Sequence, residues 1–149
     1  MKSKFIIVLV FLSINVMHSQ NLDLSEYKWK NRLVLIITNG NSNLRKQQLN
    51  EFQSRLKEFE ERKLIFFEIQ PKRYRKIPLK IKTKEQDNWF YTAQPYEKHK
   101  SKNTDFKVLL IGLDGGIKKQ KTNKILTQEQ LFTIIDGMPM RRRELKRNN

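Results

Sequence analysis

Three short, continuous hydrophobic runs divide the chain, and polar stretches separate them. They cover residues 32–38 (RLVLIIT), 64–69 (LIFFEI) and 106–113 (FKVLLIGL). Apolar runs of this length are typical of strands that are covered on both faces, although a buried helical segment would show the same pattern. We therefore predict three central strands of one buried sheet.

A long amphipathic helix is predicted between the first two strands, over residues 44–62. Its apolar residues recur at helical spacings and fall along one stripe: Leu44, Leu49, Phe52, Leu56 and Phe59. Two oppositely charged pairs four residues apart, Glu51 with Arg55 and Glu58 with Arg62, are expected to support this helix. Strand, helix and strand in this order predict a right-handed βαβ unit with parallel strands.

The third hydrophobic run is followed by a hairpin signal. Asp114-Gly115 predicts a tight turn in which both residues have positive φ. Residues 117–122 then return as an edge strand, and charged side chains on an edge discourage association with other sheets. The charges on this strand are Lys118, Lys119 and Lys121.

A helix is predicted after the hairpin. Thr127 has the character of a helix cap, with Gln130 at the capping-box position three residues on. The apolar face of this helix consists of Leu131, Phe132, Ile134 and Ile135. Gly137 and Pro139 are expected to end the helix, and residues 146–149 are expected to fray beyond it.

The long polar stretch over residues 70–104 has the weakest pattern. Residues 77–82 alternate apolar with basic positions around a proline, which suits an extended segment at an edge or in a loop. A structureless stretch of this length is unusual in a compact domain, so we expect a short helix or a strand pair within it. Its aromatic residues lie among lysines, as in single-strand nucleic-acid binders, but we favour packing of these rings on the sheet. Core packing is also preferred to a ligand platform for Trp29.

The first 19 residues have the features of a secretory signal peptide. Lys2 and Lys4 precede a mostly apolar segment over residues 5–16, and residues 17–19 offer a cleavage site before Gln20. The apolar run is shorter than the ~20 residues of a comfortable membrane span, so an uncleaved anchor is the weaker alternative. We expect an exported protein, periplasmic or secreted, with a leader at 1–19 and a single domain at 20–149.

Positive charge dominates the composition. The chain has 31 lysines and arginines against 15 acidic residues, a net charge of +16, and loss of a leader with two lysines and no acid leaves +14. For an exported protein, such a charge predicts anionic polysaccharide, lipid head groups or an acidic protein as partner and argues against nucleic acid. A genome-wide bias towards lysine codons is the alternative explanation.

Several chemistries are excluded or left without a motif. The sequence has no cysteine, hence no disulfide, thiolate nucleophile or cysteine-ligated metal. It has one histidine beyond the leader, His99, and neither a G-x-S-x-G elbow nor a phosphate-binding glycine loop. Its aspartates at 87, 105, 114 and 136 are separated in sequence. We predict no catalytic residue, no metal and no cofactor.

Two basic clusters are the candidate anion-binding sites. The first consists of Lys72, Arg73, Arg75 and Lys76. The second is the run Arg141, Arg142 and Arg143, since guanidinium groups bind phosphate or carboxylate in forked geometry. Alternatively, this run offsets the negative carbonyl end of the preceding helix. Asp136 lies nearby, and we interpret it as a member of a structural Asp–Arg pair in preference to a catalytic acid.

Three stretches, YKWKNRLVLI, LDGGIK and TQEQLFTIIDGMPMRRREL, resemble the family catalogued as domain of unknown function 4174, and the similarity extends over nearly the whole chain beyond the leader. The motif residues are Asp114, Gly115, Gly116, Asp136, Met138, Pro139, Met140, Arg141 and Arg142. The resemblance implies an α/β, thioredoxin-like fold: a central mixed sheet with flanking helices, built from a βαβ unit followed by a β-hairpin and a helix. It also implies bacterial export and a relationship to eukaryotic extracellular sushi-repeat proteins, but no activity.

A redox thioredoxin carries a Cys-x-x-Cys pair between its first core strand and the following helix. The corresponding residues here, 38–44, read TNGNSNL, so thiol–disulfide exchange and thiolate peroxidase chemistry are excluded. A helix start can hold an anion, but plain capping by Asn41 or Ser42 is favoured here. The sequence thus favours a non-catalytic binding module for an anionic partner. The alternatives are a structural or envelope-assembly protein, and a non-thiol enzyme using Asp136 and the arginines at 141–143.

Overall fold

A five-stranded mixed sheet forms the centre of the protein, and the computed structural model describes residues 21–78, 88–102 and 104–147. The strands are β1 (Arg32–Thr38), β2 (Leu64–Gln70), β3 (Arg73–Ile77), β4 (Phe106–Ile111) and β5 (Ile117–Thr122). They lie in the order β3-β2-β1-β4-β5, with β1 and β2 parallel and the other neighbours antiparallel. The parallel pair and the edge position of β5 confirm the predictions for these strands.

Helices cover both faces of this sheet. One face packs against α1 (Asn43–Glu51), α2 (Leu56–Glu61) and α4 (Gln128–Asp136), and α5 (Pro139–Arg147) follows α4. The other face packs against a 3-10 helix (Leu24–Tyr27) and α3 (Gln94–His99). The protein is therefore an α/β fold, and its strand order and directions are consistent with the thioredoxin-like arrangement expected from the sequence.

The central strand β1 contributes to two hydrophobic cores, because successive side chains of a strand point to opposite faces. Val34 and Ile36 lie in the core beneath α1, α2 and α4. Leu33 and Leu35 lie in the other core, where the ring of Tyr27 meets Phe67 edge-on at 5.5 Å between centroids. Coverage of both faces explains why the strands are continuously hydrophobic.

The predicted single helix over residues 44–62 is wrong: the chain breaks it into α1 and α2. Arg55, just before α2, adopts a left-handed conformation with φ of 61°. The predicted pairs do not form, since the Arg55 guanidinium contacts Glu58 at 3.0 Å and that of Arg62 contacts Asp136 at 2.6 Å. The apolar stripe was nevertheless correct, because all five of its residues lie in the same core.

Tertiary contacts explain where the helix breaks. Gln128 donates its side-chain amide to the Glu51 carbonyl and to Ser54 Oγ, and its backbone N–H to the Glu51 carboxylate at 2.8 Å. These bonds satisfy a carbonyl at the end of α1 that a continuous helix would use internally. A straight helix over 44–62 would also be about 28 Å long and would overrun a strand of about 23 Å.

The segment after α4 forms a further helix, which the sequence did not predict. α4 begins after the Thr127 cap, whose Oγ1 accepts from the Gln130 N–H at 3.2 Å, and ends at Asp136, both as predicted. Pro139 then opens α5, a position where proline is tolerated because the first turn needs no internal N–H bond. The arginine run therefore lies in the first turns of a helix, and residues 146 and 147 are helical where fraying was expected.

The stretch over residues 70–104 contains both elements that its length predicted. β3 pairs with β2 at the edge of the sheet, and Phe90 bridges to Tyr74 through two backbone hydrogen bonds of 2.8 and 2.9 Å. Their rings stack at 5.2 Å, so Phe90 packs as expected, whereas Tyr91 is 75% exposed and contradicts the expectation for that ring. Residues 79–87, which include part of the alternating segment and Asp87, lie outside the described residues.

The hairpin between β4 and β5 forms with one difference from its prediction. Gly115 has a φ of +80°, whereas Asp114 is not among the residues with positive φ. Asp114 instead uses its carboxylate, which accepts from the Gly116 N–H at 3.0 Å and from Lys118 Nζ at 2.6 Å. The expected leader at 1–19 also lies outside the described residues. Among the described helices, none has the length and apolar character to cross a bilayer.

Candidate functional site

A buried arginine lies at the end of the sheet where β1 begins. Arg32 opens the strand, and alternation directs it to the same face as Val34 and Ile36. Its side chain has no exposure to solvent. Nη1 donates to the Arg62 carbonyl at 3.0 Å and to Glu144 Oε2 on α5 at 3.2 Å. α5 therefore closes this end of the core over a charged group.

A second buried arginine belongs to the predicted run. Arg141 is 5% exposed, and its Nη1 donates to the Glu61 carbonyl at 2.8 Å. It also lies 3.6 Å from the Glu144 carboxylate and 3.5 Å from Asp136. Glu144 is thereby shared by Arg32, Arg141 and Lys63, whose Nζ is 3.5 Å away.

Asp136 is held mainly by Arg62, for which the sequence predicted Glu58 as the partner. Arg62 binds it in forked geometry, with Nε–Oδ1 at 3.0 Å and Nη2–Oδ2 at 2.6 Å. The Arg62 guanidinium also lies 4.2 Å from the ring centre of Phe132. The predicted Asp–Arg pair is thus present at Arg141, but the stronger contact crosses from α4 to the end of α2.

Cations outnumber carboxylates in this network. Two carboxylates, Asp136 and Glu144, face four cationic side chains: Arg32, Arg62, Lys63 and Arg141. Among the described residues, Arg32 Nε and Nη2 have no hydrogen-bond partner, and Arg141 Nε makes only the 3.5 Å ion pair with Asp136. Buried charged donors without partners are costly, so the network has capacity for further negative charge.

A cleft of about 320 Å³ adjoins this network, and we call it the α5 cleft. Trp29 and Leu113 form part of its wall. Its charged lining comprises four cations and two carboxylates, a net charge of +2: Lys63, Arg141, Arg143, Arg147, Glu61 and Glu144. Neither Arg143 nor Arg147 pairs with another described residue.

Trp29 corrects the expectation of core packing. Its side chain is 62% exposed, and its backbone is left-handed with a φ of 66°. A hydrogen bond of 2.6 Å from its backbone N–H to the Leu113 carbonyl anchors the Trp29 backbone to the segment just after β4. The ring therefore stands at the mouth of the α5 cleft.

The family-motif residues gather at this end of the sheet. The turn at 114–116 follows β4, whose last residue Ile111 pairs with Leu33 beside Arg32. The second motif stretch ends α4 and begins α5: Asp136 and Arg141 join the network, Met140 lines the cleft and Met138 packs against the core. Arg142 donates Nη2 to the Gly137 carbonyl at 2.8 Å, which supports the helix-end interpretation for that arginine.

The first predicted basic cluster is organised by a buried glutamate. Glu68 has no exposure, and it accepts from Arg45 Nε at 2.5 Å, Arg75 Nη2 at 2.7 Å and Gln70 Nε2 at 2.8 Å. Burial alone would raise the pKa of Glu68, but the hydrogen bonds and charges of these neighbours outweigh burial and lower the pKa below its ordinary value of 4.5.

Two of the four basic side chains at 72–76 are therefore engaged in contacts within the protein. The guanidinium groups of Arg73 and Arg75 lie 4.1 and 4.8 Å from the ring centre of Trp89. Lys72 and Lys76 are exposed to solvent. The structure thus separates two stacked, hydrogen-bonded arginines from two lysines that face outward.

A second cleft, of about 470 Å³, lies beneath the 3-10 helix. It is lined by the rings of Tyr27 and Tyr74 together with two acids, Asp23 and Glu26, and a lysine, Lys76. Burial, and then the charge of Glu26, raises the pKa of Tyr27. Acids outnumber the cation here, so this cleft lacks the anion-attracting lining of the α5 cleft.

The side chains of the segment between β1 and α1 make local contacts. Ser42 caps α1 by accepting from the Arg45 N–H at 3.1 Å, as predicted, and Asn39 donates to Asp105 at 2.6 Å. His99 is half-buried, and burial followed by the charges of Lys98 and Lys107 lowers its pKa. No group of three His, Asp or Glu side chains suited to a metal occurs among the described residues.

Sequence reasoning missed Arg32, Arg62, Lys63 and Glu144. One local signal was available, because an arginine at the first position of a continuous hydrophobic strand needs a partner wherever it is buried. The partners themselves carry no local signal, since Glu144 is 112 residues away.

Comparison with known proteins assigns the chain to a family. The model of a family described as "Domain of unknown function (DUF4174)" matches residues 23–144. No curated protein and no solved structure matched the chain. The matched segment includes the whole sheet, α1 to α4, and most of α5. The chain therefore belongs to the DUF4174 family.

Proposed function

We propose that this chain is a non-catalytic binding module that recognises an anionic group in the α5 cleft. The observation that carries the proposal is the net charge of +2 in the lining of the cleft, beside a network in which two carboxylates face four cations and Arg32 retains N–H groups without a partner. Guanidinium groups are well suited to phosphate, sulfate and carboxylate because their fork matches planar or tetrahedral oxyanions.

The partner that we propose is an anionic polysaccharide, a lipid head group or an acidic protein, met after export directed by the segment at 1–19. The overall charge of +16 supports attraction of such partners over a distance, and the cleft supplies a local site for one of their groups. Lys72, in the turn between β2 and β3, and Lys76, on the edge strand β3, would add a second, weaker contact.

The alternative of a non-thiol enzyme is less well supported. Both oxygens of Asp136 accept hydrogen bonds from Arg62, so the carboxylate is engaged in a structural pair. A general acid or base has to be free to exchange a proton with a bound substrate. The remaining alternative, a structural or assembly role, predicts no anion selectivity at the cleft, and a binding experiment can test that.

The test is binding of residues 20–149 to dextran sulfate and to vesicles containing phosphatidylglycerol, across a salt series. The cleft variant carries Arg143→Ser and Arg147→Ser. The matched control carries Lys119→Ser and Lys124→Ser, which removes the same charge from exposed positions at β5 and the loop after it. We expect the cleft variant to lose at least tenfold more affinity than the control. Equal losses would mean that only the general charge attracts the probes, and would overturn the proposal.

A further inference from the structure

We propose that the α5 cleft takes a phosphomonoester attached to a flat ring, with the phosphate on the arginines and the ring against Trp29. The inference rests on the proposed anion-binding function and specifies the chemical class of its ligand. It combines three separate properties of the cleft: its charge, its exposed aromatic wall and its size.

The charge of the cleft matches a phosphomonoester. The lining carries +2, and a phosphomonoester carries about −1.5 to −2 at neutral pH together with three strong acceptor oxygens. Arg143 and Arg147 stand four residues apart on α5, so they lie on the same side of the helix, and neither is paired with another described residue. Two free guanidinium groups on one side can bind the same phosphate in forked geometry.

Buried arginines extend this cationic surface inward. Arg141 lines the cleft while 95% of its surface is covered, and behind it Arg32 shares the same Glu144 carboxylate. The local potential stays positive because only two carboxylates of the network face four cations. An anion at the cleft mouth would therefore be attracted by charges that it need not touch.

Trp29 supplies the apolar wall. A bulky residue with a φ of 66° is a strained outlier, and here the strained turn holds a large ring in solvent. The hydrogen bond from its N–H to Leu113 fixes this position. An exposed indole beside cationic side chains is an arrangement that stacks a ring while the cations bind its phosphate.

The size of the cleft limits the ligand to a small molecule or a single terminal group. Pockets for small ligands begin at about 300 Å³, and this cleft has about 320 Å³. It therefore accommodates one phosphate with one ring. The ring is either aromatic, with a flat face, or a pyranose, whose axial C–H groups form an apolar face that packs on an indole.

The experiment compares inorganic phosphate, phenyl phosphate, glucose 6-phosphate, phenyl sulfate and phenol by calorimetric titration of residues 20–149. We expect phenyl phosphate or glucose 6-phosphate to bind about tenfold more tightly than inorganic phosphate, since stacking on an aromatic side chain contributes a factor of this order. Whichever of these two compounds binds more tightly identifies the type of ring. Phenyl sulfate, a monoanion, should bind more weakly than phenyl phosphate, and phenol should not bind.

Substitutions of Trp29 test whether the tighter binding of the ring phosphates depends on the α5 cleft. Trp29→Ala should bind inorganic phosphate with the affinity of the parent but should bind the ring phosphates no more tightly than inorganic phosphate. Trp29→Tyr should recover part of the higher affinity for the ring phosphates. Fluorescence of Trp29 in a Trp89→Phe background, which leaves it as the only tryptophan, should change on binding of the ring compounds. Circular dichroism checks that each variant is folded.

The outcomes separate this inference from the function on which it rests. If dextran sulfate binds at the cleft but the ring phosphates bind no better than inorganic phosphate, the ligand class is wrong and the anion-binding function stands. An advantage of the ring that persists in Trp29→Ala would also overturn the role of Trp29. If neither phosphates nor dextran sulfate distinguish the cleft variant from its control, both proposals fail.

Discussion

Arg32 and Glu144 are 112 residues apart in sequence, yet their side chains meet at 3.2 Å between Nη1 and Oε2 beneath α5. The Arg32 side chain is wholly buried, and that of Glu144 is largely covered. This contact connects the first residue of the central strand to the last helix. The contact therefore both holds α5 over the core and forms part of the charged network beside the α5 cleft.

Removal of the Glu144 charge should destabilise the fold strongly. Glu144→Gln leaves Arg32 and Arg141 without their shared carboxylate, and loss of one partner of a buried pair costs about 3 kcal/mol. Urea unfolding measures the change in the free energy of unfolding. The control is Glu129→Gln: the Glu129 side chain is 82% exposed and 3.9 Å from Arg55, so its loss should cost less than about 1 kcal/mol. Similar small losses in both variants would mean that Glu144 does not stabilise the buried arginines.

Gln48→Leu should lower stability although it places an apolar residue in a buried position. Gln48 accepts from the Leu126 N–H at 2.7 Å and donates to the Leu126 carbonyl at 2.9 Å, so it ties α1 to the loop before α4. Leucine leaves both backbone groups buried without partners, at a cost of about 2 kcal/mol or more. Gln47→Leu, at the exposed neighbouring position, is the control and should be nearly neutral. A neutral Gln48→Leu variant would show that these two bonds do not contribute.

Glu68 should make the protein more stable at neutral pH than in acid. Its folded-state pKa lies below the ordinary value of 4.5, so the carboxylate stabilises the fold above that value. This contribution is lost as the pH falls from about 4.5 through the folded pKa. Glu68→Gln should therefore be less stable than the parent at pH 7, and the gap should narrow below about pH 4.5. Urea unfolding at a series of pH values tests this, and a gap independent of pH would contradict it.

Trp29→Gly should leave stability unchanged or raise it slightly. Glycine accepts a φ of 66° without strain, and the exposed ring contributes little packing. A core tryptophan would instead cost at least about 3 kcal/mol on truncation. Thermal unfolding distinguishes the two cases, and a loss of the larger size would mean that Trp29 is a core residue.

Four of the five strands and two helix caps could be predicted because their signals are local, whereas β3 was not predicted as a strand. β1 and β5 have the predicted bounds, and the Thr127 cap needs only a side-chain oxygen three residues before the N–H that it accepts. The same holds for Ser42. A strand that is covered on both faces has a continuous hydrophobic sequence, and this holds regardless of which elements cover it.

The wrong predictions concern segments whose conformation depends on contacts with residues distant in sequence. The helix over 44–62 breaks because Gln128, 77 residues beyond Glu51, binds the end of α1. α5 was missed because Gly-x-Pro is as compatible with a helix start as with a helix end. Trp29 was misassigned because its exposure follows from the bond to Leu113, which periodicity does not reveal.

By itself, the sequence determined the fold class, the order of the strands along the chain, the positive charge and the exclusion of thiol chemistry. Each of these depends on composition or on neighbours within a few residues. Tertiary structure alone decided which charges are free and which are committed: Arg75 to Glu68, Arg62 to Asp136, and Arg32 to Glu144. Ion pairing depends on distance in space, and in a folded chain that distance is set by packing between elements far apart in sequence.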